Sequence, residues 1–193
     1  MKLIIAIVIA YFLGNFSPST VLAKAAGKDI KKEGSGNAGT TNALRVLGKK
    51  AAIITFAVDV GKGVIAVLLG GLIAEPEAAY WCALAVFLGH IWPALLKFKG
   101  GKGVAVGFGA MLAVNWQMAL ILLLVEIVVV LLSRMVSLGS VVVGISCPVA
   151  SIFMEKEFLP FGCVMAAILI FKHRANIGRI VRGEESKLGA KKK

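Results

Sequence analysis

Seven apolar stretches follow one another along this chain, at about 2–23, 51–74, 78–97, 103–115, 116–133, 137–154 and 158–172. A soluble domain has no way to cover so many. Hydrophobic residues make up 59% of the 193 residues, against about 45–50% in an average soluble protein. Mean hydropathy is +0.89. The pattern predicts an all-α integral membrane protein, a polytopic bundle of about seven transmembrane helices in a single membrane-embedded domain, 1–193. The fourth stretch is short: about 13 residues rise only about 20 Å against a hydrocarbon core of about 30 Å. It extends into its flanks, tilts, or re-enters, and five spans with an unusual pair is the alternative count. Lys2 and the apolar run 3–13 resemble a secretory leader. However, the Ala23–Ala25 cleavage-like site lies well beyond that run, so a retained first helix is expected.

The formal net charge is +12. In a membrane protein the side on which charges lie matters more than their sum. With seven spans and the N-terminus outside, all of the 22 Lys and Arg residues except Lys2, Lys62 and Lys156 fall in inner segments or the tail. The tail includes Lys191, Lys192 and Lys193, whereas the outer loops carry Glu75, Glu77, Glu155 and Glu157. This asymmetry predicts a cytoplasmic C-terminus and no nucleic-acid partner. Cys82, Cys147 and Cys163 lie in apolar runs without C-x-x-C spacing, which excludes a disulfide framework. No cluster of His, Cys and carboxylates suggests a metal, and no cofactor is expected.

Three inner segments are unlike ordinary loops. The first, KKEGSGNAGTTNALR at 31–45, contains Gly34, Gly36 and Gly39 at the spacing of a dinucleotide fingerprint. No strand–helix alternation surrounds it and no lysine follows the last glycine, so both the Rossmann and the P-loop readings fail. Glycines with Ser35, Asn37, Thr40, Thr41, Asn42 and Arg45 still suit an anion held by backbone N–H groups, beside a helix starting near Thr41. The second, KFKGGKGVA at 97–105, sets Lys102 among Gly100, Gly101 and Gly103 before an apolar helix. Ammonium and bare backbone together suit a phosphate, and a flexible interfacial loop is the plainer alternative. The third, HRANIGRIVRGEES at 173–186, repeats His173, Asn176 and Arg179 every third residue, so they can share a helix face. Alone it would read as a basic amphipathic helix. Together the three offer a cationic site matched to a phosphorylated substrate.

Within the spans, Asp59 and Lys62 can pair on one helix face, as a structural ion pair or a functional one. Glu126 has no assignable role, and His90 reads as a packing residue.

The three motifs together resemble the PlsY family, bacterial integral-membrane acyltransferases that acylate glycerol 3-phosphate from acyl-phosphate. GSGNAGTTN, KFKGGKGVA and HRANIGRIVRGEE carry the resemblance, which continues through GNFSPSTVLAK, KDIKK, DVGKG and HIWPALLKFKGGKG. KDIKK and HRAN depart slightly from the commoner family forms. The resemblance implies transfer of a fatty acyl group to the 1-hydroxyl of glycerol 3-phosphate, giving lysophosphatidic acid and phosphate. It implies a bacterial plasma membrane location with the site facing the cytoplasm. A separate soluble acyltransferase would supply the acyl-phosphate. Expected catalytic residues are Ser35, Lys102, His173 and Asn176. Expected substrate-binding residues are Gly36, Asn37, Gly39, Thr40, Thr41, Asn42, Arg45, Gly101, Gly103, Ser140 and Arg179. The proton acceptor is either neutral His173 or the donor phosphate. A phosphate or phospholipid transporter, and a lipid-binding scaffold, are the rival classes.

Overall fold

A computed structural model describes residues 1–189; the expected tail lysines Lys191, Lys192 and Lys193 lie outside the described residues. The described residues form ten α-helices, two short 3-10 turns and no strand. Five stretches are long and apolar enough to cross a membrane: Lys2–Ala25, Lys49–Ile73, Ala78–Leu96, Trp116–Ser133 and Val136–Met154. The segments Lys156–Lys172 and Arg174–Val181, bent by 58° at their junction, make a sixth if taken together. All seven apolar stretches are thus helical, but Val104–Val114 has only 11 residues. It rises about 16 Å, too little to cross alone. Asn115 ends it by capping the next helix, its Oδ1 accepting the Met118 N–H at 2.9 Å.

The chain divides into two compact units, Met1–Val114 and the residues from Asn115 onward. In the first unit, α1 (Lys2–Asn15) and α2 (Pro18–Ala25) precede α3 (Thr40–Leu47), α4 (Lys49–Ile73), α5 (Ala78–Ile91) and α6 (Val104–Val114). Between membrane helices there is little hydrophobic drive, so close backbone approach supplies much of the attraction. Two reciprocal glycine pairs provide it. A Cβ on Gly14 would strike the Val86 carbonyl, and one on Gly89 the Tyr11 carbonyl, so α1 and α5 meet at bare backbone. Gly63 against Val106 and Gly109 against Val60 do the same for α4 and α6.

The expected single first helix is broken between α1 and α2. Pro18 lacks the N–H that would bond the Gly14 carbonyl four residues back, and it pushes Ser17 into an extended conformation (φ −114, ψ 96). An unsatisfied carbonyl in a membrane interior is expensive. Lys62 of α4 answers it: its Nζ donates to Gly14 O at 3.2 Å and Phe16 O at 2.7 Å, while Asp59 Oδ1 lies 2.7 Å away. Asp59 and Lys62 are both nearly inaccessible, at 1% and 5% exposure. Asn15 adds a second tie, accepting the Leu95 N–H at 3.1 Å, and the Tyr11 hydroxyl donates to Trp92 O at 2.7 Å. The break in the first span is therefore stitched to the end of α5.

The second unit comprises α7 (Trp116–Ser133), α8 (Val136–Met154), α9 (Leu159–Lys172) and α10 (Arg174–Val181). Asn115 Nδ2 donates to Met154 O at 3.1 Å, holding the start of α7 to the end of α8. Within α7, Glu126 accepts a hydrogen bond from Ser140 of α8 at 3.0 Å. Leu131, Leu132 and Phe153 are 74%, 83% and 80% exposed, as side chains facing lipid would be.

Replacing Lys62 with Met leaves the Asp59 carboxylate and two backbone carbonyls without their cation, and should destabilise the fold by about 3–5 kcal/mol. Thermal unfolding in detergent reads this directly. The double substitution Asp59→Asn with Lys62→Met should recover part of the loss, because only the carbonyls then remain unsatisfied.

Candidate active site

The first glycine segment stands on a small core of its own. Ala23, Ile30 and Ala38 are buried together, with Val46 and Leu47 packed against them. Asn42, 1% exposed in the first turn of α3, holds the loop from inside. Its Nδ2 donates to Ile30 O and Glu33 O, both at 3.0 Å, and its Oδ1 accepts the Ser35 N–H at 2.8 Å. Gly34, with φ +62, lies so close to Asn42 Oδ1 that no side chain fits. Three of the four hydrogen bonds a carboxamide can make are thus spent on the loop. Asn42, expected to bind substrate, also holds the loop in shape.

Around that staple, Ser35 and Gly36 are exposed, Asn37 and Thr41 are half-buried, and Arg45 is exposed on α3. Gly39 is the residue before the helix, which begins at Thr40 rather than Thr41. The Thr40 hydroxyl is buried with no hydrogen-bond partner among the described residues. A buried hydroxyl at the positive end of a helix is a donor with no acceptor to meet it.

The second segment folds back along the end of α5. Pro93 starts a 3-10 turn, Ala94–Leu96, and Lys97 and Phe98 are both left-handed, at φ 55 and 58. The chain then returns: Gly100 N–H donates to Ile91 O at 3.2 Å and Gly101 N–H to His90 O at 3.1 Å. Gly103, at φ +92, lies against the Phe87 ring before α6 begins. A Cβ on Gly101 would meet the His90 ring and would lie 3.1 Å from Ala38 O, in the first segment. The two glycine segments are therefore stacked, and Lys102 follows directly on the contact.

The third segment belongs to the second unit. His173, 2% exposed, is the hinge residue between α9 and α10. Its Nδ1 lies 2.9 Å from Leu169 O. A carbonyl only accepts, so Nδ1 carries the hydrogen and the neutral ring has its lone pair on Nε2. Asn176 and Arg179 share a face as their spacing predicts, because both reach Glu185. Asn176 Nδ2 donates to Oε1 and Arg179 Nε to Oε2, each at 2.7 Å, and Ser137 Oγ donates to Oε1 at 2.7 Å. Ser140, another expected substrate ligand, has its proton directed to Glu126 Oε1 and Val136 O, both at 3.0 Å.

Glu185 was absent from the expected set. Its only sequence signal is an acid inside a strongly basic segment. Burial pushes its carboxyl up, but hydrogen bonds from Ser137, Asn176 and Arg179, with the Arg179 charge, hold it below its ordinary value.

With this geometry in view, the comparisons with known proteins agree. Residues 4–183 match the family model described as glycerol-3-phosphate acyltransferase. The chain is 50% identical over 198 residues to the glycerol-3-phosphate acyltransferase of Clostridioides difficile (strain 630), covering 98% of this chain and 97% of that one. It is 42% identical over 194 residues to that of Thermoanaerobacter pseudethanolicus, covering 99% and 98%. The crystal structure of PlsY (YgiH), an integral membrane glycerol 3-phosphate acyltransferase in its glycerol 3-phosphate form, superposes with TM-score 0.92 at 35% identity, covering 98% of this chain and 96% of that one. Its lysophosphatidic acid form gives TM-score 0.89. The chain belongs to the glycerol-3-phosphate acyltransferase family and is an all-helical integral membrane protein.

A carboxyl held below its ordinary value binds its proton less readily when folded than when unfolded. Its stabilising contribution is complete above about pH 4.5, the ordinary glutamate value, and disappears as pH falls through the lower folded value. Thermal unfolding in detergent should therefore show an acid limb below that pH. In Glu185→Gln the limb should be flatter and the plateau at neutral pH lower, because Arg179 loses its counter-charge.

Proposed function

We propose that this protein transfers a fatty acyl group from acyl-phosphate to the 1-hydroxyl of sn-glycerol 3-phosphate, giving lysophosphatidic acid and inorganic phosphate. The observation that carries this reading is the stacking of two glycine segments, Ala38 against Gly101, at the start of Lys102, in a chain of this family. The segments' N–H groups at Ser35, Gly36, Gly100 and Gly101 are bonded within the protein and fix the loops. The loops carry Thr40, Arg45 and Lys102 to meet charge, and the reaction brings two phosphates together.

The chemistry is a displacement at a mixed anhydride. The 1-hydroxyl oxygen forms the new ester bond, the carbonyl–phosphate bond breaks, and the hydroxyl proton leaves with the phosphate or through His173. Phosphate is already a good leaving group, so charge neutralisation and positioning do most of the catalysis. Lys102 and Arg45 take the phosphate charge, joined by His173 once its Nε2 has taken up the proton, and Ser35 and Asn176 polarise the carbonyl or orient the hydroxyl. The backbone at Gly39 and Gly103 and the side chains of Asn37, Thr40 and Thr41 complete the anion contacts. Gly36 and Gly101, whose N–H groups are bonded to Glu33 O and His90 O, shape the loops that carry them. The unpartnered Thr40 hydroxyl supports that role. With its Nδ1 hydrogen fixed on Leu169 O, His173 has an Nε2 lone pair suited to accepting the proton. Asn42, Ser140 and Arg179 act through the groups they hold. A soluble acyltransferase making acyl-phosphate would feed the reaction.

Purified protein in detergent or lipid, given acyl-phosphate and glycerol 3-phosphate, should release phosphate and lysophosphatidic acid in equal amounts. Lys102→Ala should lower kcat/KM by about 100-fold or more while leaving thermal unfolding unchanged. Wild-type protein that gives no product but moves phosphate across proteoliposome membranes would instead be a transporter.

The charge asymmetry supports an N-terminus outside and glycine segments in the cytoplasm of a bacterial inner membrane. In a cysteine-free background, an impermeant thiol reagent added to intact cells should label Glu77→Cys. Glu33→Cys should react only after the inner membrane is opened, and the reverse pattern would invert the topology.

A further inference from the structure

His90 sits where the buried charge of the first unit meets the second glycine segment. It is 6% exposed at the end of α5, and its Nδ1 is 2.9 Å from Lys62 Nζ. An ammonium has hydrogens to give and no lone pair to accept with. Lys62 therefore donates and Nδ1 accepts, and the ring is then neutral with its own hydrogen on Nε2. The ammonium's three hydrogens are shared among four acceptors, and the Gly14 O contact, at 3.2 Å, is the longest. A protonated ring would set two cations against each other at that distance. Asp59 Oδ1, at 3.5 Å, is a more distant neighbour of Nδ1 than Lys62 Nζ at 2.9 Å. Asp59 instead anchors Lys62 at 2.7 Å.

The opposite edge of the ring faces Gly101. A Cβ on that glycine would collide with His90 Nε2, and the Gly101 N–H is already bonded to His90 O at 3.1 Å. His90 thus holds Gly101 from two sides, by its backbone carbonyl and by its ring. The ring cannot turn without breaking the Lys62 contact. Lys62 in turn is fixed by Gly14 O and Phe16 O at the break in the first span.

We propose that His90 is a positioning residue for the phosphate-binding segment Gly100–Gly103, with its ring orientation set by the Asp59–Lys62 pair. This rests on the function proposed above. The direction in which the Gly101 and Lys102 backbone points decides where a phosphate can sit, and misplacement by about 1 Å can lower activity by about 100-fold. A histidine that merely satisfied Lys62 would need only Nδ1.

Two amides separate these roles. Gln at 90 can place an N–H near the Nε2 position but offers Lys62 no acceptor at Nδ1. Asn can offer that acceptor but leaves the Nε2 position empty. Neither strands the Lys62 charge, which keeps Asp59, Gly14 O and Phe16 O as partners. Full-length His90→Gln and His90→Asn would be compared with wild type by steady-state kinetics, varying glycerol 3-phosphate and acyl-phosphate separately. Amide hydrogen exchange of residues 100–103 would be followed without substrate.

The expected result is that His90→Asn raises KM for glycerol 3-phosphate by about 10-fold, with a smaller change in kcat. Exchange in 100–103 should be faster in that variant. His90→Gln should stay near wild type in both. Wild-type behaviour of His90→Asn with impairment of His90→Gln would overturn the proposal, leaving His90 as a partner for Lys62 only. Equal exchange in all three proteins would overturn it as well. If wild-type protein shows no acyl transfer, the proposed function fails, and the exchange comparison alone still decides whether His90 holds the segment.

Discussion

A proline in a membrane helix creates a debt of hydrogen bonding, and the first unit is organised around settling it. Pro18 deprives the Gly14 carbonyl of its partner, and the extended residues after Gly14 leave Phe16 O exposed to the interior. Water would satisfy these groups in a soluble protein. Inside a bilayer only protein can. Lys62 supplies an ammonium, which is itself costly to bury, so Asp59 must accompany it one helical turn earlier. The remaining contact of that ammonium, His90 Nδ1, carries the arrangement to the end of α5 and so to the second glycine segment. A local backbone fault thereby determines how a distant loop is held.

The fold class was plain from the apolar runs because a membrane helix announces itself by composition alone. The shortness of the fourth stretch was also readable. The break at Ser17 was not read, because hydropathy is insensitive to one proline within an apolar run. The two glycine segments read as anion-holding in the sequence because few other tasks need glycine and lysine so dense. Their stacking is invisible in sequence: Ala38 and Gly101 are related only through the fold. Asn42 shows the same for the partners of a side chain. A carboxamide among glycines looks like a ligand, and nothing local says that its partners are Ile30, Glu33 and Ser35.

Glu185 and His90 were underrated for a shared reason. An acid in a basic tail reads as solvated, and a histidine in an apolar run reads as packing. Both judgements weigh a residue against its sequence neighbours. Glu185 draws on Ser137, far back in the chain, as well as on Asn176 and Arg179. His90 draws on Lys62. Buried polar groups take their meaning from partners that only folding brings near.

The acids of the glycine-rich and basic segments follow one rule. Asp29 accepts the Lys31 N–H at 3.0 Å and lies 4.0 Å from Lys32, Glu33 lies 3.7 Å from Lys28, and Glu184 lies 2.7 Å from Arg182. Such surface pairs add little stability. Their effect is on the field: each acid is occupied by a nearby cation, so no carboxylate is left to repel an incoming phosphate. Exposed Arg45 then faces solvent with Glu33, the acid of its own segment, already beside Lys28. For the proposed reaction, which holds two phosphates near each other, removing such competition gains more than adding lysines. Every added cation would also bind phosphate product and slow its release. A neutral donor such as the Thr40 hydroxyl, on a loop held by Asn42, attracts phosphate without that long-range grip. On this argument the glycines bring the loops close to Asn42 and His90, and those buried polar residues set the geometry in which side chains meet phosphate.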